Sequence, residues 1–249
     1  MLTIVNWNLE RVLPNQKRYE RIKAVITELT ADVWVFTESH KDVTPDKSIS
    51  VTSTTSEDGH CWSSICSKFP ITSLIDYVTD RDRCTAARVM HPAYGELIVY
   101  ANVLPWVGSV WNGQAWKEGK AFISALDTYC RDWEQLQLAY PDAIHIVAGD
   151  FNQSLINWHY YGSKKIRIKL EEAIEECNLK IVTAGIHDPV ARDSKPYACI
   201  DHICISTSKI EYTHATKRFP NEAKPDKKLS DHFGIIAEIN LKSKNSISL

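Results

Sequence analysis

The segment Ala143-Ile144-His145-Ile146-Val147-Ala148-Gly149-Asp150-Phe151-Asn152 is an apolar strand that runs straight into a Gly-Asp-x-Asn turn. A short run of Ile, Val and Ala bounded by turn residues reads as a buried strand. The carboxylate and amide that follow stand at the strand's rigid, solvent-facing end. Taken alone, Asp-x-Asn is an ordinary turn. Its weight comes from the same pattern recurring through the chain.

Four other apolar runs begin or end on acids, amides or a histidine. Val5-Asn6-Trp7-Asn8 closes the first strand with amides, and Val33-Trp34-Val35-Phe36-Thr37 runs into Glu38. Ile200-Asp201-His202-Ile203 heads an apolar strand, and Ser230-Asp231-His232 precedes Phe233-Gly234-Ile235-Ile236-Ala237. Strand ends that share one rim build a preorganised polar site. Oxygen donors of this kind suit hard cations, Mg²⁺ or Mn²⁺, and magnesium is commonly held by only one or two carboxylates. A phosphoester needs such a cation to neutralise its non-bridging oxygens.

Outward from these ends, strands and helices alternate. Strands are expected at Thr3–Trp7, Val33–Thr37, Trp62–Cys66, Thr85–Met90, Glu96–Val103, Ala143–Ala148, Lys180–Thr183, Cys199–Ser206 and Gly234–Leu241. His91-Pro92-Ala93-Tyr94-Gly95 has the punctuation of a hairpin. Helical periodicity marks Lys17–Thr30, Lys117–Leu138 and Lys164–Cys177. No repeat, linker or break in composition divides the 249 residues, so one domain over 1–249 is expected, with 242–249 a loose polar tail. The mixture points to a layered α/β sandwich.

Together the five polar blocks resemble those of the endonuclease/exonuclease/phosphatase superfamily, to which DNase I belongs. They are Asn6-Trp7-Asn8; Thr37-Glu38; Gly149-Asp150-Phe151-Asn152; Ile200-Asp201-His202; and Leu229-Ser230-Asp231-His232-Phe233-Gly234. Ser64-Ile65-Cys66-Ser67-Lys68-Phe69-Pro70-Ile71 is a weaker sixth. Each is unspecific alone; five in order from Asn6 to Gly234 are not. The resemblance implies a four-layer α/β/β/α sandwich, DNase I-like, and a divalent-metal-dependent phosphoesterase using Mg²⁺ or Mn²⁺.

The resemblance also implies roles. Asn8, Glu38 and Asp231 would serve the metal. Asp150 and Asn152 would orient the attacking water and the scissile phosphate. His232 would contact the phosphate, held and polarised by Asp201, because a carboxylate on one ring nitrogen fixes the tautomer and steadies the imidazolium. Asn6 rivals Asn8 within its block, and either Asp150 or His232 could remove the proton. The plain alternatives are a strand-cap acid for Glu38 and a turn-capping amide for Asn8. His202 would face away from Asp201 on a regular strand and reads as structural. One departure stands out. Members of the superfamily usually carry a His or Tyr near the end of the strand at Glu96–Val103, assisting the leaving group. Here the segment is Tyr100-Ala101-Asn102-Val103-Leu104-Pro105-Trp106, without a histidine.

For substrate contact the candidates are Trp158, Tyr160 and Lys164, in a stretch that mixes aromatics with bases and suits stacking plus phosphate contact. A loop packed onto the sandwich is the equal alternative. Trp106, Trp111 and Trp116 also fall in loops beside the site, whereas Arg81 and Arg83 read as solvated surface. The leading substrate is a phosphate ester in nucleic acid or a nucleotide. Two alternatives are a phosphatase on a small phosphorylated metabolite or lipid headgroup, and a catalytically silent binding module. A net charge of −2 shows no global basic field. Seven scattered cysteines, with Cys199 and Cys204 separated by four residues, suggest reduced thiols. No apolar run approaches a bilayer span and the N-terminus has no basic region, so a cytoplasmic protein is expected.

Overall fold

The computed structural model describes residues 1–206, 210–220, 226 and 229–243. In chain order the elements are β1 (Leu2–Asn8), α1 (Lys17–Glu28), β2 (Val33–His40), β3 (Ile49–Thr52), β4 (His60–Ser67), β5 (Ile71–Ser73), β6 (Thr85–His91) and β7 (Gly95–Val103). There follow the short strands β8 (Val110–Trp111) and β9 (Gln114–Ala115), then α2 (Lys120–Ala139), β10 (Ile144–Asp150), α3 (Lys164–Glu176), β11 (Leu179–Ile181) and α4 (Pro189–Asp193). Strands β12 (Asp201–Ser206), β13 (Ile210–Phe219) and β14 (Gly234–Ser243) complete it.

Two six-stranded sheets form, with orders β13-β14-β1-β2-β4-β3 and β11-β12-β10-β7-β6-β5. Strand alternation sorts their side chains. In β1, Leu2 and Ile4 turn inward to meet Val33, Val35, Val99, Ala101, Ile146, Ala148 and Ile203 in a core between the sheets. Val5 and Trp7 turn outward with Trp34 and Phe36 against Tyr19, Ile22 and Ile26 of α1. On the other outer face, Tyr100 and Val147 pack against Phe122, Tyr129 and Trp133 of α2 and Ile166 and Leu170 of α3. The order of layers is therefore helix, sheet, sheet, helix. At its N-terminus α3 is capped by Ser163, whose Oγ accepts the Ile166 N–H.

The expected elements are present, with shifted ends and additions. Helix α2 begins at Lys120, after a 3₁₀ turn at Lys117–Gly119, and not at Lys117. Strand β14 continues through Lys242 and Ser243, which pair with β13, so the expected loose tail begins too early; residues 244–249 lie outside those described. Strand β13 is absent from the sequence reading because its ten residues, IEYTHATKRF, are polar on both faces. It is an edge strand recruited by pairing with β14, and edges favour charged residues. All seven cysteines are unpaired, and every one but Cys130 is buried. Among the described residues no helix is long and apolar enough to cross a membrane.

Gly149 sets the end of β10. Its φ is +146°, and a Cβ placed there would lie 2.0 Å from the backbone oxygen of Asn102 on β7. That oxygen belongs to a paired strand and cannot swing away. Gly149→Ala is expected to destabilise the protein by about 2–4 kcal/mol, read as a lower denaturation midpoint with unchanged slope. A midpoint equal to that of the parent protein would show that β10 and β7 can separate at no cost.

Candidate active site

Topology gathers the polar strand ends. Strands β1 and β2 are parallel, as are β7 and β10, so within each sheet two C-terminal ends share an edge. Strand β14 runs antiparallel to β1, and β12 antiparallel to β10, which brings their beginnings to the same edge. Asn6 then ties the sheets together: its Nδ2 donates to the carbonyl oxygens of Gly149, at 2.9 Å, and His202, at 3.2 Å. Two residues on, and on the same face, Asn8 Nδ2 donates to Asp150 Oδ2 at 3.0 Å and Glu38 Oε1 at 3.3 Å. Its Oδ1 accepts the Glu10 N–H at 2.8 Å, which fixes the amide's orientation. Of the two amides, Asn6 thus bridges the sheets and Asn8 stands between two carboxylates.

Glu38 is not at a strand end. Strand β2 continues to His40. Regular alternation would place Glu38 on the α1 side with Trp34 and Phe36. A left-handed conformation, φ +47°, interrupts the alternation, and the carboxylate meets Asn8 as well as Arg11, whose Nε lies 3.5 Å from Oε2. A non-glycine residue held at positive φ is strained, and such strain persists where the surroundings over-determine it.

Asp150, Asp201 and His232 bring ligand atoms within 4.8 Å of one another, a grouping that can hold a metal ion. His232 Nδ1 is 2.7 Å from Asp201 Oδ2. Burial and the charge of Asp201 push the Asp150 carboxyl up to about 8, against the opposing pull of His232 and the Asn152 N–H. Burial on its own would lower the His232 imidazole. The charge of Asp201 and the hydrogen bond to it, with Asp150 and Asp231 beyond, override that and raise it to about 10. The charge and hydrogen bond of Asp201 thus favour the imidazolium form of His232. The ring is also held from behind: Ser230 Oγ donates to Asn8 O at 2.7 Å and accepts the His232 N–H at 3.1 Å, while Trp7 Nε1 donates to His232 O. Ser230 and Trp7 lay within the sequence blocks, but no residue-type signal marked them as braces.

The remaining candidates divide. Asn152 donates its N–H to Asp150 Oδ1 at 2.9 Å, and its side chain clamps Leu104 O at 3.0 Å. Asp231 is half exposed beside the ring, 3.8 Å from His232 Nε2. Tyr160 shares with Asp201, Asp231 and His232 a small cavity of about 40 Å³. Trp158 and Lys164 line a separate depression of about 190 Å³, and the Lys195 ammonium covers the Trp158 indole at 4.9 Å. His202 faces away from Asp201, bound to Thr183 Oγ1 and Gln153 O. Tyr100 is buried on the helix side, donating to Asp132 Oδ2 at 2.8 Å, and so does not reach the rim. Arg83 is half-buried against the Trp62 and Trp106 rings and is not the solvated surface residue expected of it.

A family model described as Endonuclease/Exonuclease/phosphatase family matches residues 5–232. No curated protein sequence matches the chain. Among solved structures, the endonuclease domain of TRAS1, a telomere-specific non-LTR retrotransposon, is similar with a TM-score of 0.65 at 14% identity, covering 96% of this chain and 98% of that one. An endonuclease/exonuclease/phosphatase from Beutenbergia cavernae DSM 12333 gives 0.62 at 18%, covering 96% and 71%. D. rerio TDP2 complexed with a single-strand DNA product gives 0.59 at 18%, covering 96% and 98%. At these identities the likeness is one of fold, and that fold is the four-layer α/β/β/α sandwich, DNase I-like, that the sequence blocks implied.

The charge of Asp201 is what keeps His232 protonated, so its neutral replacement has a definite sign. In the metal-free Asp201→Asn protein the His232 titration midpoint is expected to fall by roughly two pH units or more, followed by the ring-proton or ring-nitrogen resonances. A midpoint still near 10 would remove Asp201 as the cause.

Proposed function

The chain belongs to the endonuclease/exonuclease/phosphatase family, a family of phosphoesterases, and on that premise we propose that it is a divalent-metal-dependent phosphodiesterase or nuclease. The observation that carries the reading is the joining of Asp150, Asp201 and His232 to Asn8 and Glu38 at one edge of the sandwich. The names of two similar folds, an endonuclease and a protein bound to single-strand DNA, support nucleic acid as the substrate class.

The residues present fit a hard cation. The donors are carboxylates, amides and one imidazole, and Asp201 Oδ1 is buried with no partner among the described residues. Glu38 and Asp231 would hold the ion. Asn8 would align the Glu38 and Asp150 carboxylates, and its Oδ1, which accepts the Glu10 N–H, keeps a second lone pair for the ion. His232 Nδ1 is taken up by Asp201 at 2.7 Å, which suits a proton-handling role for that pair, while Asp201 Oδ1 stays open toward the ion. When bound, Mg²⁺ or Mn²⁺ neutralises charge on the phosphate oxygens.

The side chains then divide the work of in-line attack. Asp150, braced by Asn8 and the Asn152 N–H, accepts the proton of the attacking water. His232, oriented by Asp201, donates a hydrogen bond from Nε2 to a non-bridging oxygen, where negative charge builds up; as the water oxygen bonds to phosphorus the opposite P–O ester bond breaks, and the departing oxygen takes a proton from solvent. Tyr160 lines the cavity beside that oxygen's approach. Asp150 is the base in this scheme because it is the weaker holder of its proton, raised to about 8 against about 10 for His232, and a nearby cation would lower it further.

Activity is expected to vanish with EDTA and return with Mg²⁺ or Mn²⁺, on a panel spanning single- and double-stranded DNA, RNA, small phosphodiesters and phosphomonoesters. Restoration by Zn²⁺ alone, or activity confined to monoesters, would overturn the reading. The pH profile has a worked sign. Rate rises as Asp150 loses its proton, with a midpoint at or below about 8 because a nearby cation lowers it, and falls as His232 loses its proton near 10. Asp150→Asn should cost several orders of magnitude in kcat, roughly 10³-fold or more, with binding largely kept.

A further inference from the structure

Beside Glu38 the edge of the sandwich carries four side chains from four separate segments. Trp62 and Trp106 stack with ring centroids 5.9 Å apart and planes at 27°. The Arg83 guanidinium carbon lies 5.4 Å from the Trp62 ring and 5.3 Å from the Trp106 ring. The Arg11 guanidinium carbon lies 4.5 Å over Trp62, and Arg11 Nε reaches Glu38. The array is thus continuous with the candidate active site. It is not core: both indoles and Arg83 are only half-buried, and Arg11 is exposed. Next to it opens a depression of about 710 Å³, whose lining includes Trp62, Arg81, Arg83, Trp111 and Arg131.

Two features of the array call for a ligand. Arg83 Nη2 donates to Val110 O at 3.1 Å, but Nη1 is buried without a partner among the described residues. A buried guanidinium N–H without an acceptor is costly. The neighbouring acid does not supply one: Asp80 Oδ2 accepts Trp111 Nε1 at 2.7 Å and the Tyr129 hydroxyl at 2.8 Å, and its Oδ1 accepts the Arg83 backbone N–H. The second feature is that both indoles, though contacted by each other and by the two guanidinium groups, stay partly exposed to water. A ligand with a planar ring and an anionic oxygen satisfies both, and a nucleotide has both.

Resting on the phosphodiesterase reading of the adjoining site, we propose that the Arg11–Trp62–Arg83–Trp106 array is a subsite for single-stranded nucleic acid. An unpaired base lies against the indoles and a phosphate oxygen accepts from the Arg83 guanidinium, with the scissile phosphate beside His232. Bases within a duplex are stacked on one another and offer no open face to an indole, so the array favours an unpaired segment.

The test measures binding of a labelled short oligodeoxythymidylate and of a duplex of equal length, with Ca²⁺ in place of the catalytic ion, alongside hydrolysis of bis(p-nitrophenyl) phosphate. Trp106→Ala and Arg83→Gln are expected to weaken single-strand binding by about tenfold or more. Duplex binding and small-diester hydrolysis should fall much less. Arg83→Gln should also flatten the salt dependence by about one phosphate contact. Trp106→Tyr, which keeps an aromatic face, should recover most of the affinity, and it stands in if the alanine protein does not fold. Unaltered single-strand affinity in both Trp106→Ala and Arg83→Gln, or equal losses on duplex and single strand, would overturn the subsite. If the parent protein hydrolyses the small diester yet binds no single strand, the subsite fails and the phosphodiesterase reading stands. If it hydrolyses no phosphodiester of any kind, that reading fails and the subsite with it.

Discussion

The site depends on one buried amide. Asn6 donates from a strand of one sheet to two carbonyl oxygens, Gly149 and His202, on two strands of the other. Elsewhere the space between the sheets is filled mainly by apolar side chains, which hold the layers together without fixing their relative position to a fraction of an ångström. Hydrogen bonds to named oxygens do fix it. With the sheets pinned there, the next residue on that face, Asn8, arrives opposite Asp150, and Asp201 lies beside Asp150 on the neighbouring strand. Gly149 is part of the same constraint, because only a residue without a Cβ lets β10 approach β7 so closely.

Electrostatics then distinguishes the acids that the clamp assembles. Three carboxylates, Glu38, Asp150 and Asp201, converge where solvent is scarce, and they cannot all carry charge without compensation. Asp201 is compensated by His232, which is held protonated in return. Glu38 has Arg11 and the Asn8 amide. Asp150, the most buried, is pushed toward its neutral form and so is the group whose charge state a bound cation would change most. Residues of one chemical type are given separate properties by burial and by their neighbours.

Much of this was legible in the chain. The ordered blocks around Asn8, Glu38, Asp150, Asp201 and His232 pointed to residues that meet at one edge, because each lies on or next to a strand whose apolar alternation is plain. Legibility failed where burial pattern and residue type part company. Strand β13 escaped because it is polar on both faces and exists only through its pairing with β14. Glu38 was placed at the end of its strand, whereas the strand runs on and a left-handed residue turns the carboxylate inward. Nothing local to Trp158, which could stack on a base or belong to a packed loop, showed that Lys195, distant in sequence, would lie over its ring.

By itself, then, the sequence determined the kinds of element, their order and the identity of the polar groups at their ends, since these follow from local periodicity and side-chain chemistry. Which of two amides clamps the sheets and which steadies the acids was decided only by the tertiary structure. So were the neighbours that raise the His232 imidazole and the meeting of Arg11, Trp62, Arg83 and Trp106 from four segments of chain. The physical reason is common to all three. A hydrogen bond across a sheet interface, a charge in a low-dielectric site and a stacked ring depend on distances between residues far apart in the chain, and such distances exist only once the layers have packed.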